Sequence, residues 1–364
     1  MKATAAVLRG PQDPFIIEEL DVDSTRDDEV LIRMVAAGVC HTDLLSREMP
    51  PEFFVGPQVY GHEGAGVVEA VGSAVSHVAI GDHVVLSFNN CGDCVACSAG
   101  RLPYCHNFAA HNMAGGRLDG SRAFTDADGE AVGSHYFGQS SFASLTVAAG
   151  DSVVKIDPSY DLRKMGPLGC GVQTGVGAIF NTLDIEAGST LVVAGAGTLG
   201  LTAIMAAKHR GAERIIAIDR HESRQALATK YGATDIVTGD PDEMTGAIHG
   251  LTDGGVDYAF DTTGNAAVVR AIVNGLHITG TCALAGVGFG ELVLDHITMI
   301  SGRTITGVME GDATPATFIP MMAELNAAGS LPFDELIVEF PIAEINEAEA
   351  ASADGSVIKP VLIF

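Results

Sequence analysis

The 364-residue chain is short of positive charge: 20 lysines and arginines stand against 46 aspartates and glutamates, a formal charge of −26. Such a surface repels polyanions, which argues against nucleic acid or an anionic membrane as partner. Charge of either sign is scarce at 18%, while hydrophobic residues reach 47%, the balance of a globular enzyme rather than a disordered chain. No apolar run reaches the roughly 20 residues of a membrane span. Residues 1–10 contain no secretory h-region, so export is not expected. There are only seven cysteines, too few and too unevenly placed for a disulfide scaffold of this length. Four crowd between positions 91 and 105, and Cys40, Cys170 and Cys282 stand alone. A reduced, cytoplasmic, metal-binding protein fits that spread. The length exceeds what one core serves, so two domains are expected.

The first 150 residues read mostly as β. Runs at 3–9, 15–20, 29–36, 66–70, 83–88 and 144–147 are apolar or alternating and are broken by Gly, Pro or Asp. Many short strands with irregular loops point to a barrel or sandwich. Cys91-Gly-Asp-Cys94-Val-Ala-Cys97, with Cys105 beyond, can close four thiolates on Zn²⁺ and leave no vertex for water. Two disulfides are the competing reading, but CxxCxxC spacing strains simultaneous pairing. Residues 106–143 are polar and glycine-rich, and a loop that long is usually functional or interfacial.

Beyond residue 170 apolar runs alternate with helical patterns. Strands are expected at 190–194, 214–218, 235–237, 256–260, 279–285 and 304–308, and helices at 172–183, 199–210, 222–231, 266–276 and 318–328. That alternation is the signature of a parallel sheet covered on both faces. Residues 335–364 return to strand-like runs, which suggests that the tail rejoins the first domain around an inserted α/β unit.

Leu191-Val-Val-Ala-Gly195-Ala-Gly197-Thr198-Leu199-Gly200 places a GxGxxG motif between a strand and a helix, with Asp219 ending the next strand. Gly195 permits the turn, Gly197 lets a pyrophosphate approach the backbone, and Gly200 allows close packing of helix on strand. Asp219 would accept the ribose hydroxyls and favour NAD, although the adjacent Arg220 is suited to a 2′-phosphate. Gly61-His62-Glu63-Gly64-Ala65-Gly66 offers an imidazole backed by a carboxylate. Taken alone it reads as a solvent-facing turn; cysteines elsewhere turn it into a candidate metal site.

Cys40 with Thr42-Asp43, the Gly-His-Glu of 61–63, the cysteine lobe, Cys170 and the GxGxxG unit occur in the order found in zinc-dependent medium-chain alcohol dehydrogenases, and the whole chain resembles that family. Gly166-Pro-Leu-Gly-Cys170-Gly-Val-Gln-Thr-Gly and the ending Val357-Ile-Lys-Pro-Val-Leu look most like its aryl-alcohol (benzyl alcohol) dehydrogenases. The resemblance implies an α/β architecture. A GroES-like β-barrel catalytic domain would span 1–173 and 315–364, and a Rossmann-fold NAD domain would span 174–314. It implies two zinc ions per subunit, one catalytic and one structural. Cys40, His62 and Cys170 would hold the catalytic ion, with Glu63 behind or among the ligands and Asp43 holding His62. Thr42 would take the alcohol proton. Thr174 and Leu199 would lie near the nicotinamide, and Thr198 would bind the cofactor; His41, Arg224 and Lys359 would contact the diphosphate or ribose.

Where liver-type enzymes end their proton relay in a histidine, this chain has Leu45, so the proton is expected to leave through ribose and water. Phe53, Phe54 and Phe88 would wall an apolar pocket for a bulky primary alcohol of benzyl or geranyl type. S-hydroxymethylglutathione dehydrogenase and a nicotinoprotein with permanently held NAD are the rival enzymes. A non-catalytic NAD-binding zinc protein is disfavoured, because all three catalytic ligands are present. The family likeness further suggests a homodimer or homotetramer.

Overall fold

The structure is a computed structural model, and it describes residues 1–48 and 54–364. The chain divides into two compact units, Met1–Gly171 with Thr314–Leu325 and Phe333–Phe364, and Val172–Ala313 with Asn326–Pro332. Among the described residues no helix is long and apolar enough to cross a membrane.

The first unit is built on two largely antiparallel sheets. One runs Gln58–Val59, Lys2–Leu8, Ile16–Val22, Phe124–Thr125, Ala131–Val132; the other runs Val153–Lys155, His83–Leu86, Gly64–Val71, Glu29–Gly38, Lys359–Ile363, Ile337–Pro341. Glu29–Gly38 is the organising strand. It pairs with Gly64–Val71 on one edge and with Leu145–Ala149 and then Lys359–Ile363 on the other. With both edges filled it buries Val30, Leu31, Ile32 and Met34, as an interior strand should. Its pairing with Gly64–Val71 slips at Leu31/Ile32 and Met34/Ala36, and such bulges re-aim the strand end. The core between the sheets is aromatic: Phe15 meets Tyr60 and Phe142 edge-on, at 6.5 and 5.9 Å between centroids.

The tail does rejoin this unit, through Lys359–Ile363. It is not all strand, however: Ile345–Ala353 is a helix that buries Ile345 and Ala348. Ile345 is the one large apolar residue it buries and Ala348 carries little hydrophobic signal, so the helical period is faint in the sequence.

The second unit holds a six-stranded sheet ordered Asp235–Val237, Arg214–Ile218, Thr190–Ala194, Val256–Asp261, Leu276–Leu284, Thr304–Gly307. Every neighbouring pair is parallel. The order reverses at Thr190–Ala194, and in such sheets ligands bind beyond the strand ends at the reversal. Helices Thr198–Arg210, Glu222–Tyr231 and Ala266–Asn274 lie where the apolar period places them. Leu276, expected to end the last of these, instead opens the next strand.

Helix Pro241–Leu251 has no counterpart in the sequence reading. It starts at Asp240-Pro241 and buries Met244 and Ile248, but Gly246 and Gly250 dilute its helical pattern. The expected helix at 172–183 is α-helical over Gly171–Gly177 and widens into a π turn over Ala178–Thr182.

Candidate active site and metal centres

Three loop ends of the first unit meet at one point. Cys40 follows the strand Glu29–Gly38, His62 lies just before Gly64–Val71, and Cys170 closes the short turn Gly166–Gly169. Their ligand atoms all lie within 4.8 Å of one another. Gly61 makes the approach possible. It sits at φ +92°, and a Cβ there would meet Phe142 Cδ1 at 2.5 Å and the Phe142 amide nitrogen at 2.7 Å, so only glycine fits.

Asp43 ties two of the arms together. Its Oδ1 accepts from His62 Nδ1 at 2.7 Å and the Gly61 amide at 3.1 Å, and its Oδ2 accepts the Cys40 amide at 3.0 Å. A carboxylate only accepts, so Nδ1 carries a proton and Nε2 is the nitrogen presented to the two sulfurs. His62 Nε2 is buried and has no hydrogen-bond partner, a costly state for an imidazole nitrogen unless a ligand completes it. One imidazole and two thiols suit Zn²⁺ and leave a fourth vertex open. The hydrogen bond from the Cys170 thiol, followed by the attraction of His62, holds the Cys40 thiol well below its ordinary pKa, against the opposing effect of burial. Thr42 Oγ1 lies 3.8 Å from Cys40 Sγ, which puts the expected proton acceptor beside the cluster.

Two expected roles need correction. Glu63 does not join the ligand atoms. Its carboxylate is wholly buried and accepts the Gly171 amide at 3.0 Å and Lys359 Nζ at 3.0 and 2.8 Å. Lys359, expected at the cofactor, is 3% exposed and gives its remaining donor to the Val39 carbonyl at 3.2 Å. An ammonium has three protons and all three have acceptors within this unit. A carboxylate buried this deeply demands a cation, and that demand decides where Lys359 points.

The long stretch 106–143 supplies residues that the sequence reading missed. Phe137 stacks on the His62 ring at 4.6 Å, and Tyr136 meets it edge-on at 5.8 Å. Tyr136 also donates its hydroxyl to the Thr42 carbonyl at 3.1 Å, and burial pushes its phenol well above the ordinary pKa, so it stays a donor. The Gln139 carboxamide reaches His62, Gly64 and Ser87. The sequence offered little signal for Gln139: it opens the polar triplet Gln139-Ser140-Ser141 between Phe137 and Phe142, and only burial, which obliges polar groups to be bonded, singles it out.

The remaining expected pocket residues are placed as follows. Phe88 is 1% exposed and packs in the core near Phe108, at 6.1 Å. Phe54 is half-buried against the same cluster, and Phe53 lies outside the described residues. His41 is exposed at the start of the helix His41–Glu48, which carries Leu45.

The second cysteine group is compact. The Cys91, Cys94, Cys97 and Cys105 sulfurs lie within 4.8 Å of one another, and none of the seven cysteines is in a disulfide. Sγ–Sγ distances of 3.4 Å for Cys91–Cys105 and 3.9 Å for Cys91–Cys97 are far from a disulfide's ~2.05 Å. Backbone amides turn inward on the sulfurs. Cys94 accepts those of Cys97 and His106, which hold its thiol down at about 6. Four sulfurs gathered in this way suit a closed, four-thiolate structural zinc site.

In the second unit Gly195 turns at φ +90°, a Cβ on Gly200 would overlap the Gly195 carbonyl oxygen, and a Cβ on Gly197 would meet nothing within 4 Å. The first and third glycines are thus required by packing and the middle one by open space, as a cradle for a diphosphate requires. Thr198 and Leu199 begin the helix Thr198–Arg210, whose N-terminal end suits an anion. Asp219 Oδ2 accepts the Ala196 amide at 2.8 Å and Oδ1 the His221 amide at 2.9 Å, so the carboxylate is aimed at the loop and keeps lone pairs for a ribose. Arg220 turns to His221. Arg224 Nε is buried with no hydrogen-bond partner. Thr174 is buried on the helix Gly171–Gly177.

Comparison with known proteins agrees with this geometry. Residues 26–158 match the alcohol dehydrogenase GroES-like domain, and residues 198–327 match the zinc-binding dehydrogenase family. A geraniol dehydrogenase of Castellaniella defragrans is 40% identical over 100% of this chain and 98% of its own. An S-(hydroxymethyl)glutathione dehydrogenase of Saccharomyces cerevisiae is 36% identical over 100% of this chain and 96% of its own. The crystal structure of benzyl alcohol dehydrogenase from Acinetobacter calcoaceticus superposes with a TM-score of 0.94 at 38% identity, covering 100% of this chain and 99% of that one. The chain belongs to the zinc-dependent medium-chain alcohol dehydrogenases, NAD-linked enzymes in which a GroES-like barrel carries an inserted dinucleotide-binding domain.

Proposed function

We propose that this enzyme oxidises a bulky, uncharged primary alcohol, aryl or allylic and of benzyl or geranyl type, to its aldehyde. The observation that carries the reading is the aromatic collar on His62. Phe137 and Tyr136 flank the imidazole at 4.6 and 5.8 Å, and Phe108 meets Phe137 edge-on at 5.9 Å. Such walls reward a substrate with apolar area. The relatives named for geraniol and benzyl alcohol point the same way. Phe54, half-buried, would extend the apolar wall, while Phe88 backs it from the core.

Cys40, His62 and Cys170 would hold the catalytic zinc. When bound, that ion acts as a Lewis acid that lowers the pKa of the alcohol hydroxyl, and NAD takes up the hydride. The chain's own part is positional. Asp43 keeps the imidazole in the Nδ1–H tautomer, and Thr42 Oγ1 would accept a hydrogen bond from the alcohol hydroxyl and relay its proton, giving up its own towards ribose and water. Leu45, on the same helix, has no group to carry that proton further. In the second unit Gly195, Gly197 and Gly200 would admit the diphosphate, Asp219 would bind the ribose, and Arg224 would turn its unpaired Nε to the cofactor. A cytoplasmic location goes with thiolate ligands, which persist in a reducing compartment.

Benzyl alcohol and geraniol are expected to give the highest kcat/KM in a panel that includes ethanol and S-(hydroxymethyl)glutathione. Either of the last two turned over best would overturn the substrate reading.

The enzyme would act as a homo-oligomer. Segment 278–300 exposes Ile278, Val287, Phe289 (83% exposed), Val293, Ile297 and Ile300, beside the edge strand Thr304–Gly307. An apolar run of that extent beside an open edge strand marks an association surface. Phe289→Asp should lower the mass measured by light scattering; an unchanged mass would place the contact elsewhere.

A further inference from the structure

The cluster needs two spacings fixed, Cys40 to His62 and His62 to Cys170. Asp43 sets the first. We propose that Gln139, acting through Ser87, sets the second and is a positioning residue for the catalytic metal. Gln139 Nε2 donates to the His62 carbonyl at 3.0 Å and to the Ser87 carbonyl at 3.2 Å, while its Oε1 accepts the Gly64 amide at 3.1 Å. Ser87 Oγ in turn donates to the Gly169 carbonyl at 2.7 Å, one residue before Cys170. A continuous chain of hydrogen bonds therefore runs from the backbone of one metal-bearing loop to the backbone of the other. Gln139, Ser87 and His62 are 0–1% exposed, so no water competes for these bonds.

The brace is itself held stiffly. His135, Phe137 and Ser140 are at φ 60°, 50° and 54°, and Gly138 is at 69°. Left-handed side-chain-bearing residues persist only where their surroundings over-determine them. Here Ser140 Oγ donates to the Val59 carbonyl at 2.7 Å and accepts the Tyr136 amide at 3.0 Å, and Thr146 Oγ1 donates to the Gln139 carbonyl at 2.5 Å. The same turn presses Phe137 on the His62 ring, so backbone and ring of one ligand are positioned by one element. Sites are pre-organised in this way when supporting bonds lock the groups that hold the ligand.

The proposal rests on His62 being a catalytic-metal ligand, and the test separates the two. Enzyme freed of metal at the three-residue site but keeping zinc at the four cysteines is titrated with Co²⁺, and its visible ligand-field bands and affinity are read for wild type, His62→Ala, Gln139→Glu and Ser87→Ala. Glutamate keeps the shape of Gln139 but turns an acceptor toward two carbonyl oxygens. Gln139→Glu should weaken Co²⁺ binding by about 10- to 100-fold and shift the bands, while zinc at the four cysteines stays in place. Ser87→Ala should move both readouts in the same direction by less. A purely structural role would lower Tm and leave the bands alone. Bands and affinity unchanged in both variants would overturn the proposal; if Gln139→Glu does not fold, Ser87→Ala decides alone. Unchanged bands in His62→Ala would instead sink the ligand assignment.

Discussion

Cys170→Ala is expected to leave one zinc per chain and to lower kcat by at least about 10³-fold. Among the described residues three side chains converge on the catalytic position, so removing one leaves an imidazole and a single thiolate, too few to retain Zn²⁺ against solvent. Lewis-acid stabilisation of developing charge is worth several kcal/mol, and about 1.4 kcal/mol corresponds to each tenfold in rate; about 4 kcal/mol therefore gives the stated factor. The four cysteines of the lobe should keep their ion, because all of its ligands lie within one loop. Elemental analysis set beside steady-state kinetics reads both quantities. Two zinc ions per chain with undiminished turnover would sink the assignment of the catalytic ligands.

Glu29→Gln should cost about 3–5 kcal/mol of folding stability at neutral pH, the range for breaking a buried ion pair. Glu29 is 3% exposed and accepts Arg117 Nε at 2.5 Å, Arg117 Nη2 at 3.0 Å, His135 Nε2 at 3.1 Å and the Arg26 amide at 2.9 Å. Burial alone would push its carboxyl up; the hydrogen bonds from His135, Arg117 and the Arg26 amide outweigh it and hold the group at about 2. The glutamine would leave the buried Arg117 with only the half-exposed Asp23, at 2.9 Å.

The sign of the pH dependence follows. A depressed carboxyl stabilises the fold fully above its unfolded pKa, about 4.3, and that contribution is lost as pH falls through the folded value. Denaturant titrations of wild type and variant should therefore differ most near pH 7 and converge as pH drops from about 4.5 toward about 2. A gap as wide at pH 3 as at pH 7 would mean that the charge on Glu29 is not what stabilises the fold. His135 also opens the left-handed turn that carries Gln139, so the same network anchors the brace on the catalytic loops.

What could be read in advance, and what could not, divides by distance along the chain. The cysteine lobe was legible because its four ligands sit within one loop and their spacing is itself the geometry. The glycine loop was legible for the same reason: Gly195, Gly197 and Gly200 act through their own backbone. The strands of the parallel sheet announced themselves as apolar runs. Helices Pro241–Leu251 and Ile345–Ala353 did not, because glycine and alanine occupy positions where larger apolar residues would have marked the buried face.

The sequence by itself determined which chemistry was available: two thiols and an imidazole for one metal, four thiols for another, and a turn open to a diphosphate. Only the tertiary structure decided how those groups are aimed. Glu63 turns from the metal to Lys359, 296 residues away, and Gln139 closes on a histidine 77 residues before it. Residue type and local spacing are written in the order of the chain. The partner of a buried polar group is chosen by whatever packing brings within about 3 Å once water is gone, and that choice exists only in the folded state.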